Sequence, residues 1–290
     1  MTDGLFFRET LYPGVQVSYA CDSILYQDRT EHQDLVLFDN PVFGKVLMLD
    51  GVTQVTSADE FIYHEMMAHV PILAHGAAEE VLIVGGGDCG LAEEVLKHGS
   101  VRRLTQVEID SSVVEFSKQH FADFNAPVFD DDRFDLVITD GADFVARTER
   151  RFDVVIVDST DPHGPGAVLF SEDFYRGVHR CLKPGGVLVT QNGVPFLQRQ
   201  ELVDGMARLS RVFADATSYV AAIPTYFGGH MTLGWASDDA GLRQTPVATL
   251  QTRFDAAGFA TRYYTPEVHA AAFALPRYIL DAVELGRNRA

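Results

Sequence analysis

Apolar positions from residue 81 onward collect in short strand-like runs, each followed by a stretch of helical period. The runs are VLIV (81–84), LTQV (104–107), FDLVI (134–138), FDVVIV (152–157) and VLVT (187–190). All five read as strands, and the first, without a polar face, as one buried on both sides of a sheet. Between them the pattern predicts helices over 91–97, from a cap at Ser111 through Val114, Phe116 and Lys118, around Phe144 and Val145, over 171–182, and over 198–211. The stretches 218–223 and 231–235 read as a closing strand pair. Strands alternating with helices imply a doubly wound, mostly parallel sheet. Residues 1–75 are different: their apolar and polar positions alternate over 15–19, 24–26, 33–38, 42–49 and 52–56, with Asp50-Gly51 as a hairpin turn. A helix is predicted over 58–68, opened by Asp59-Glu60 and ended by Pro71. The expected organisation is an N-terminal antiparallel β-strand domain over 1–75 and a Rossmann-like catalytic domain over 76–290.

Composition narrows the classes. The net charge of −18 argues against nucleic acid, which needs a clustered basic surface. An acidic surface serves solubility, and an acidic cleft also concentrates cations. No apolar run approaches the ~20 residues needed to span a bilayer. The opening MTDGLFFRET has no apolar run of signal length, and Cys21, Cys89 and Cys181 lie far apart with no Cys-x-x-Cys pair. A cytoplasmic protein with reduced thiols and no zinc site is expected.

The chemistry collects at the ends of the predicted strands. The first strand runs into Gly85-Gly86-Gly87-Asp88-Cys89-Gly90, a turn that lets backbone approach a ligand closely. Later strands end at Glu108, Asp140 and Asp158. An acid at one strand end usually caps the following helix. Four in consecutive units, with Asp161 beyond, are harder to explain by capping alone. Glu108 stands where nucleoside folds place an acid on the ribose hydroxyls. Asp140 with the backbone of Gly141 suits an exocyclic adenine amine. Asp88 sits where a dinucleotide pyrophosphate would lie, and its charge repels phosphate but attracts an amine or a sulfonium. Asp158 and Asp161 could face one cavity and hold or deprotonate a diamine, although Asp161 before Pro162 also suits a plain turn.

These segments resemble the spermidine synthases, the polyamine aminopropyltransferases: GGGD (85–88), VEID (107–110), DG (140–141), DSTDPHGPG (158–166), DEFIYHEM (59–66), HQDLVLF (32–38), LKPGG (182–186), QNG (191–193) and IPTY (223–226). The resemblance covers nearly the whole chain. It implies an N-terminal β-domain, a methyltransferase-like Rossmann domain, a homodimer or homotetramer, and no cofactor. The implied reaction moves the aminopropyl group of decarboxylated S-adenosylmethionine, a co-substrate, to putrescine, giving spermidine and methylthioadenosine. By the resemblance Asp158 is the base. Asp161, Ser159 and Thr160 belong to the acceptor side, and Tyr63, His64, Asp88 and Tyr226 line the aminopropyl and polyamine channel. Gln33, Glu108, Asp140 and Gly141 hold the adenosine, with Pro165 closing over it from a gating loop at 159–166. Two positions depart from the family's habit: Cys89 stands where glycine is common, and Glu93-Glu94 where a basic residue often occurs.

Further readings stay open on the residues alone. The same sheet could carry a methyltransferase, or a non-catalytic polyamine or nucleoside binder. Within the family the acceptor could be cadaverine, spermidine or agmatine. His69, His75, His98 and His163 receive no assignment.

Overall fold

The computed structural model describes residues 4–29, 33–160 and 164–290. Two small antiparallel sheets come first. Strands β1 (Leu5–Glu9) and β2 (Val17–Cys21) form a ribbon. Strands β3 (Ser23–Arg29), β4 (Asp34–Asn40), β5 (Gly44–Leu49) and β6 (Val52–Thr56) form a meander. The β5–β6 turn is Asp50-Gly51, with φ of 49° and 77°. Two successive positive values match the twist of a two-residue hairpin.

Helix α1 (Glu60–His75) contains Pro71 instead of ending before it. A proline inside a helix lacks the N–H for its i−4 bond and costs about 3 kcal/mol. Burial offsets that cost here: Met66, Met67, Val70, Ile72 and Leu73 are all buried around it. A helix buried on every side shows little amphipathic period, so the proline reads as its end, while the helix in fact stops at Gly76, whose φ of 76° forms a left-handed cap.

The βα units follow: β7 (Glu80–Gly85), α2 (Gly90–Leu96), β8 (Arg103–Glu108), α3 (Ser111–His120), α4 (Ala122–Asn125), β9 (Phe134–Ile138), α5 (Gly141–Arg147), β10 (Phe152–Asp158), α6 (Glu172–Cys181), β11 (Leu182–Gln191) and α7 (Arg199–Val212). Strands β12 (Asp215–Ala221) and β13 (Met231–Ser237) close the sheet in the order β12-β13-β11-β10-β7-β8-β9. The pairs from β11 to β9 are parallel, and β13 runs against both its neighbours. The fold is therefore the expected α/β, methyltransferase-like Rossmann sheet beside small N-terminal antiparallel sheets. Asp110, not Ser111, caps α3, its Oδ1 accepting from the Ser112 amide at 2.9 Å. The segment LKPGG enters β11 instead of forming a free turn, across a register shift between Phe152 and Val154.

The sequence reading had nothing for the C-terminal helices α8 (Val247–Ala257), α9 (Pro266–Ala272) and α10 (Arg277–Arg287). The buried Glu65 of α1 docks the loop between α8 and α9. Its carboxylate accepts from the backbone amides of Arg262, Tyr263 and Tyr264 at 2.7, 2.9 and 2.7 Å. Asp59 links two other segments. It accepts from Thr56 Oγ1 at 2.6 Å and, at 2.7 Å, from both the amide and Oγ1 of Thr225. The meander is thereby pinned to the loop after β12, and both border the site.

Candidate active site

The chain leaves β7 towards β8 and β9 on one side and returns beside β7 as β10, so the sheet's switch point lies between β7 and β10. In open α/β sheets ligands bind outside the strand ends at that point. The strand ends come together tightly there. The Gly86 amide donates to the Asp158 carbonyl at 2.9 Å. A Cβ on Gly85 would lie 1.9 Å from that carbonyl oxygen, and Gly85 has φ of 89°. Only glycine fits both conditions. From β8, Gln106 Nε2 donates to the carbonyls of Gly85 and Gly86 at 3.0 and 2.6 Å and holds the turn from beneath.

Cys89 takes φ of 60°, a left-handed conformation unusual for a side chain other than glycine. Its thiol is fully buried, and burial and Asp88 push it well above the ordinary thiol range. It is a packed thiol, not a nucleophile.

A cavity of about 420 Å³ opens over the strand ends. Sheet order arrays its wall: Gln191 at the end of β11, Asp158 of β10, the 85–88 turn after β7, Glu108 of β8 and Asp140-Gly141 after β9. Gln33, Tyr63, Ser159, Thr160 and Tyr226 also line it. Of the residues singled out in the sequence, His64 is not on this wall. It is 2% exposed and lies behind Asp88, its Nε2 3.5 Å from Asp88 Oδ1. Asp161 lies outside the described residues. Pro165 falls in the 3-10 turn Gly164–Phe170, and its side chain is likewise outside them.

Capping explains one of the four strand-end acids. Asp140 Oδ1 accepts from the amides of Ala142 and Asp143 at 2.8 and 3.0 Å and caps α5, a bond set that does not use Oδ2. Glu108 Oε1 accepts from the amides of Ile109 and Asp110 at 2.8 and 3.0 Å. Burial pushes Glu108 upward, partly offset by those amides. Asp88 Oδ1 accepts from the Gly90 amide at 2.8 Å and closes its own turn. Asp158 caps no helix among the described residues. Its Oδ1 accepts from Tyr63 Oη at 2.7 Å. Burial first, and then the neighbouring Asp88, raise it to about 6, against the opposing pull of His64. A carboxylate tuned to that range is suited to accept a proton near neutral pH.

Several wall residues carried no signal in the sequence. Glu9 at the end of β1 and Leu11 and Tyr12 just after it reach the cavity, and Tyr12 Oη donates to Gln198 Oε1 at 3.2 Å. Ile109 and Leu169 add apolar surface. Apart from Ile109, which follows β8 but is apolar, none stands at a strand end of the central sheet, so no local rule marks them.

Comparison with known proteins fits this geometry. Residues 60–245 match the family model of the spermine/spermidine synthase domain, and residues 5–57 match that of the spermidine synthase tetramerisation domain. The polyamine aminopropyltransferase of Serratia proteamaculans is 53% identical over 99% of this chain and 100% of its own length. The chain belongs to the spermidine synthase family.

Other relatives agree with that membership. Polyamine aminopropyltransferase 1 of Pseudomonas aeruginosa is 56% identical over 96% of this chain and 97% of its own. A spermidine synthase crystallised with the transition-state analogue AdoDATO superposes with a TM-score of 0.91 at 35% identity, over 98% of this chain and 96% of that one. The spermidine synthase from Thermotoga maritima gives 0.89 at 33%, over 98% and 95%. As an aminopropyltransferase of this family the chain is an enzyme, a transferase. No helix among the described residues is long and apolar enough to cross a membrane.

Proposed function

We propose that this spermidine synthase family member transfers the aminopropyl group of decarboxylated S-adenosylmethionine to putrescine, releasing spermidine and methylthioadenosine. One observation carries the reading: a carboxylate raised to about 6, Asp158, stands at the switch point beside Asp88 in an acid-walled cavity. The nucleoside lies over the β8 and β9 ends, with Glu108 on the ribose, Asp140 and Gly141 on the adenine, and Gln33 beside it, and the family resemblance assigns Pro165 to it as well. The amine lies over β10, among Tyr63, Ser159, Thr160 and Tyr226, and the family resemblance adds Asp161 to that side.

The donor carbon is bonded to a sulfonium and is already electrophilic. The acceptor is the harder partner, because a primary alkylamine with a pKa near ~10 is protonated at neutral pH. Asp158 takes a proton from the ammonium, and the freed lone pair attacks the methylene carbon. The C–N bond forms as the C–S bond breaks, and the bonding pair leaves on sulfur as a neutral thioether. Tyr63 orients the base through its 2.7 Å bond. No cofactor is required, since the sulfonium itself provides the leaving group. The test is incubation of the protein and the decarboxylated donor with a panel of diamines, products being identified by mass. Formation of spermidine from putrescine is expected. Methylated products with S-adenosylmethionine, and none from the decarboxylated donor, overturn the reading.

Asp88 selects the donor. S-adenosylmethionine has a carboxylate on the chain to be transferred, and a fixed anion at the turn repels it. Asp88→Asn is expected to weaken discrimination against S-adenosylmethionine by about tenfold, the equivalent of 1.4 kcal/mol. Competition binding of the two nucleosides to variant and parent measures this, and an unchanged ratio removes Asp88 from the role.

The protein assembles as a homodimer or homotetramer in the cytoplasm. Support comes from the match of residues 5–57 to the tetramerisation domain and from Leu5, Phe6, Ile24 and Leu25, exposed apolar side chains on β1 and β3. Exposed apolar surface of this kind marks an interface. Light scattering of Phe6→Glu is expected to show dissociation, and an unaltered mass refutes a role for this face.

A further inference from the structure

A second, smaller space of about 30 Å³ lies beside the main cavity, large enough for water. Asp88 and Asp158 border it, and so do His64 and Glu60, which are absent from the main wall. His64 Nδ1 approaches Glu60 Oε2 at 2.9 Å, and its Nε2 faces Asp88 Oδ1 at 3.5 Å. Gly90 leaves the room the ring occupies: a Cβ there would stand 2.4 Å from His64 Cε1. A neutral imidazole has a single N–H and would turn a lone pair towards one of the two carboxylates; an imidazolium donates to both. Beyond Glu60, Arg262 Nη1 lies 3.8 Å from Glu60 Oε1, and the guanidinium stacks 3.6 Å over the Phe61 ring. Charges alternate from the surface to the cavity through Arg262, Glu60, His64 and Asp88.

We infer that Glu60 is a positioning residue for the transfer reaction: it holds His64 as a doubly donating imidazolium against Asp88, a fixed cation that offsets the acids around Asp158. The kinetic part of this inference rests on the aminopropyl-transfer reading above. The groups facing the cluster are Asp59 before α1, held by Thr56 and Thr225, Glu60 and Tyr63 of α1, Asp88 of the turn, Asp158 of β10 and Tyr226 of the loop after β12. Glu108 acts on Asp158 from β8. Outside, Glu60 meets Arg262 and the field of Glu93, itself paired with Lys97 at 2.9 Å. Burial works to lower His64, but Asp88 and Glu60 together raise it well above the ordinary histidine range. Its charge in turn opposes the upward push on Asp158 from burial and Asp88.

The sign of a Glu60→Gln change follows. Losing one anion lets His64 lose its proton at lower pH. With that cation gone, Asp158 holds its own proton more tightly, and the acid limb of the rate profile moves up. A limb moved from about 6 by one unit lowers kcat/KM about eightfold at pH 5.5 and leaves it unchanged at pH 9. A loss equal at every pH means that His64 was only displaced, and it overturns the proposal.

A second readout does not depend on turnover. With nitrogen-15 histidine, the signal missing in His64→Gln assigns residue 64. In the parent protein His64 is expected to remain doubly protonated at pH 8, and in Glu60→Gln, where one carboxylate instead of two opposes burial, to be neutral through the acid limb near 6. A neutral His64 at pH 8 in the parent overturns the proposal even if the variant does not fold. If no diamine is aminopropylated, the transfer reading fails while the His64 titration still decides the role of Glu60.

Discussion

Asp158→Asn is expected to lower turnover by about 10²–10⁴-fold, the range for loss of a general base. Asparagine keeps the size of the side chain and an oxygen to accept from Tyr63, so substrate binding changes little and the loss falls on kcat. The parent enzyme's kcat/KM is expected to fall tenfold per pH unit below about 6, where Asp158 takes up its proton, and the variant's residual activity to lack this limb.

Stability moves the other way. A carboxyl raised in the folded state binds its proton more tightly there than in the unfolded chain, so its stabilising contribution is present below the unfolded value and is lost as pH rises through about 6. Above that pH the buried anion costs on the order of 2 kcal/mol, after discounting for its contact with the open cavity. Asp158→Asn is therefore expected to melt at a higher temperature than the parent at pH 8 while losing its activity. Thermal unfolding at pH 5 and pH 8 checks this, and a variant that is both inactive and less stable at pH 8 contradicts the assignment.

Gly85→Ala is expected to remove activity and about 2–5 kcal/mol of stability together. A left-handed backbone costs a residue with a Cβ about 1–2 kcal/mol, and forcing an atom into packed space costs about 1–3 kcal/mol more. The obstacle is backbone, the Asp158 carbonyl at 1.9 Å, so no side-chain rotation relieves it. Relief requires β7 and β10 to part at Asp158, the residue proposed as the base. Gly99→Ala is the control: a Cβ there meets nothing within 4 Å, and the change is expected to stay within about 0.5 kcal/mol. Chemical denaturation with parallel assays measures both, and a Gly85→Ala protein with the parent's stability and rate refutes the close-approach argument.

Raising Asp158 and closing the sheet at a glycine serve the same end. The switch point brings β7 and β10 near enough for the Gly86 amide to reach the Asp158 carbonyl, and the acid is thereby fixed among Tyr63, Asp88 and His64. The arrangement sacrifices stability at Asp158 to raise its proton affinity, a trade common at sites where a carboxyl takes part in chemistry near neutral pH.

What the sequence determined by itself was local in origin. Strands buried on both faces leave unbroken apolar runs, hence the doubly wound sheet, and Asp50-Gly51 named its hairpin because two positive φ values favour those residues. Acids at successive strand ends become neighbours once the sheet is parallel, so Asp88, Glu108, Asp140 and Asp158 were legible as one edge before any coordinate. Tertiary structure decided the rest. Pro71 lies inside α1 because burial on all sides outweighs its missing bond, and Asp110 took the cap from Ser111 by reaching the Ser112 amide. The arm carrying Glu9 and Tyr12, the docking of residues 262–264 on Glu65, and the place of His64 behind Asp88 join segments far apart in sequence. Such contacts leave no periodicity, because each depends on where the folded chain sets two distant residues and not on what lies beside them.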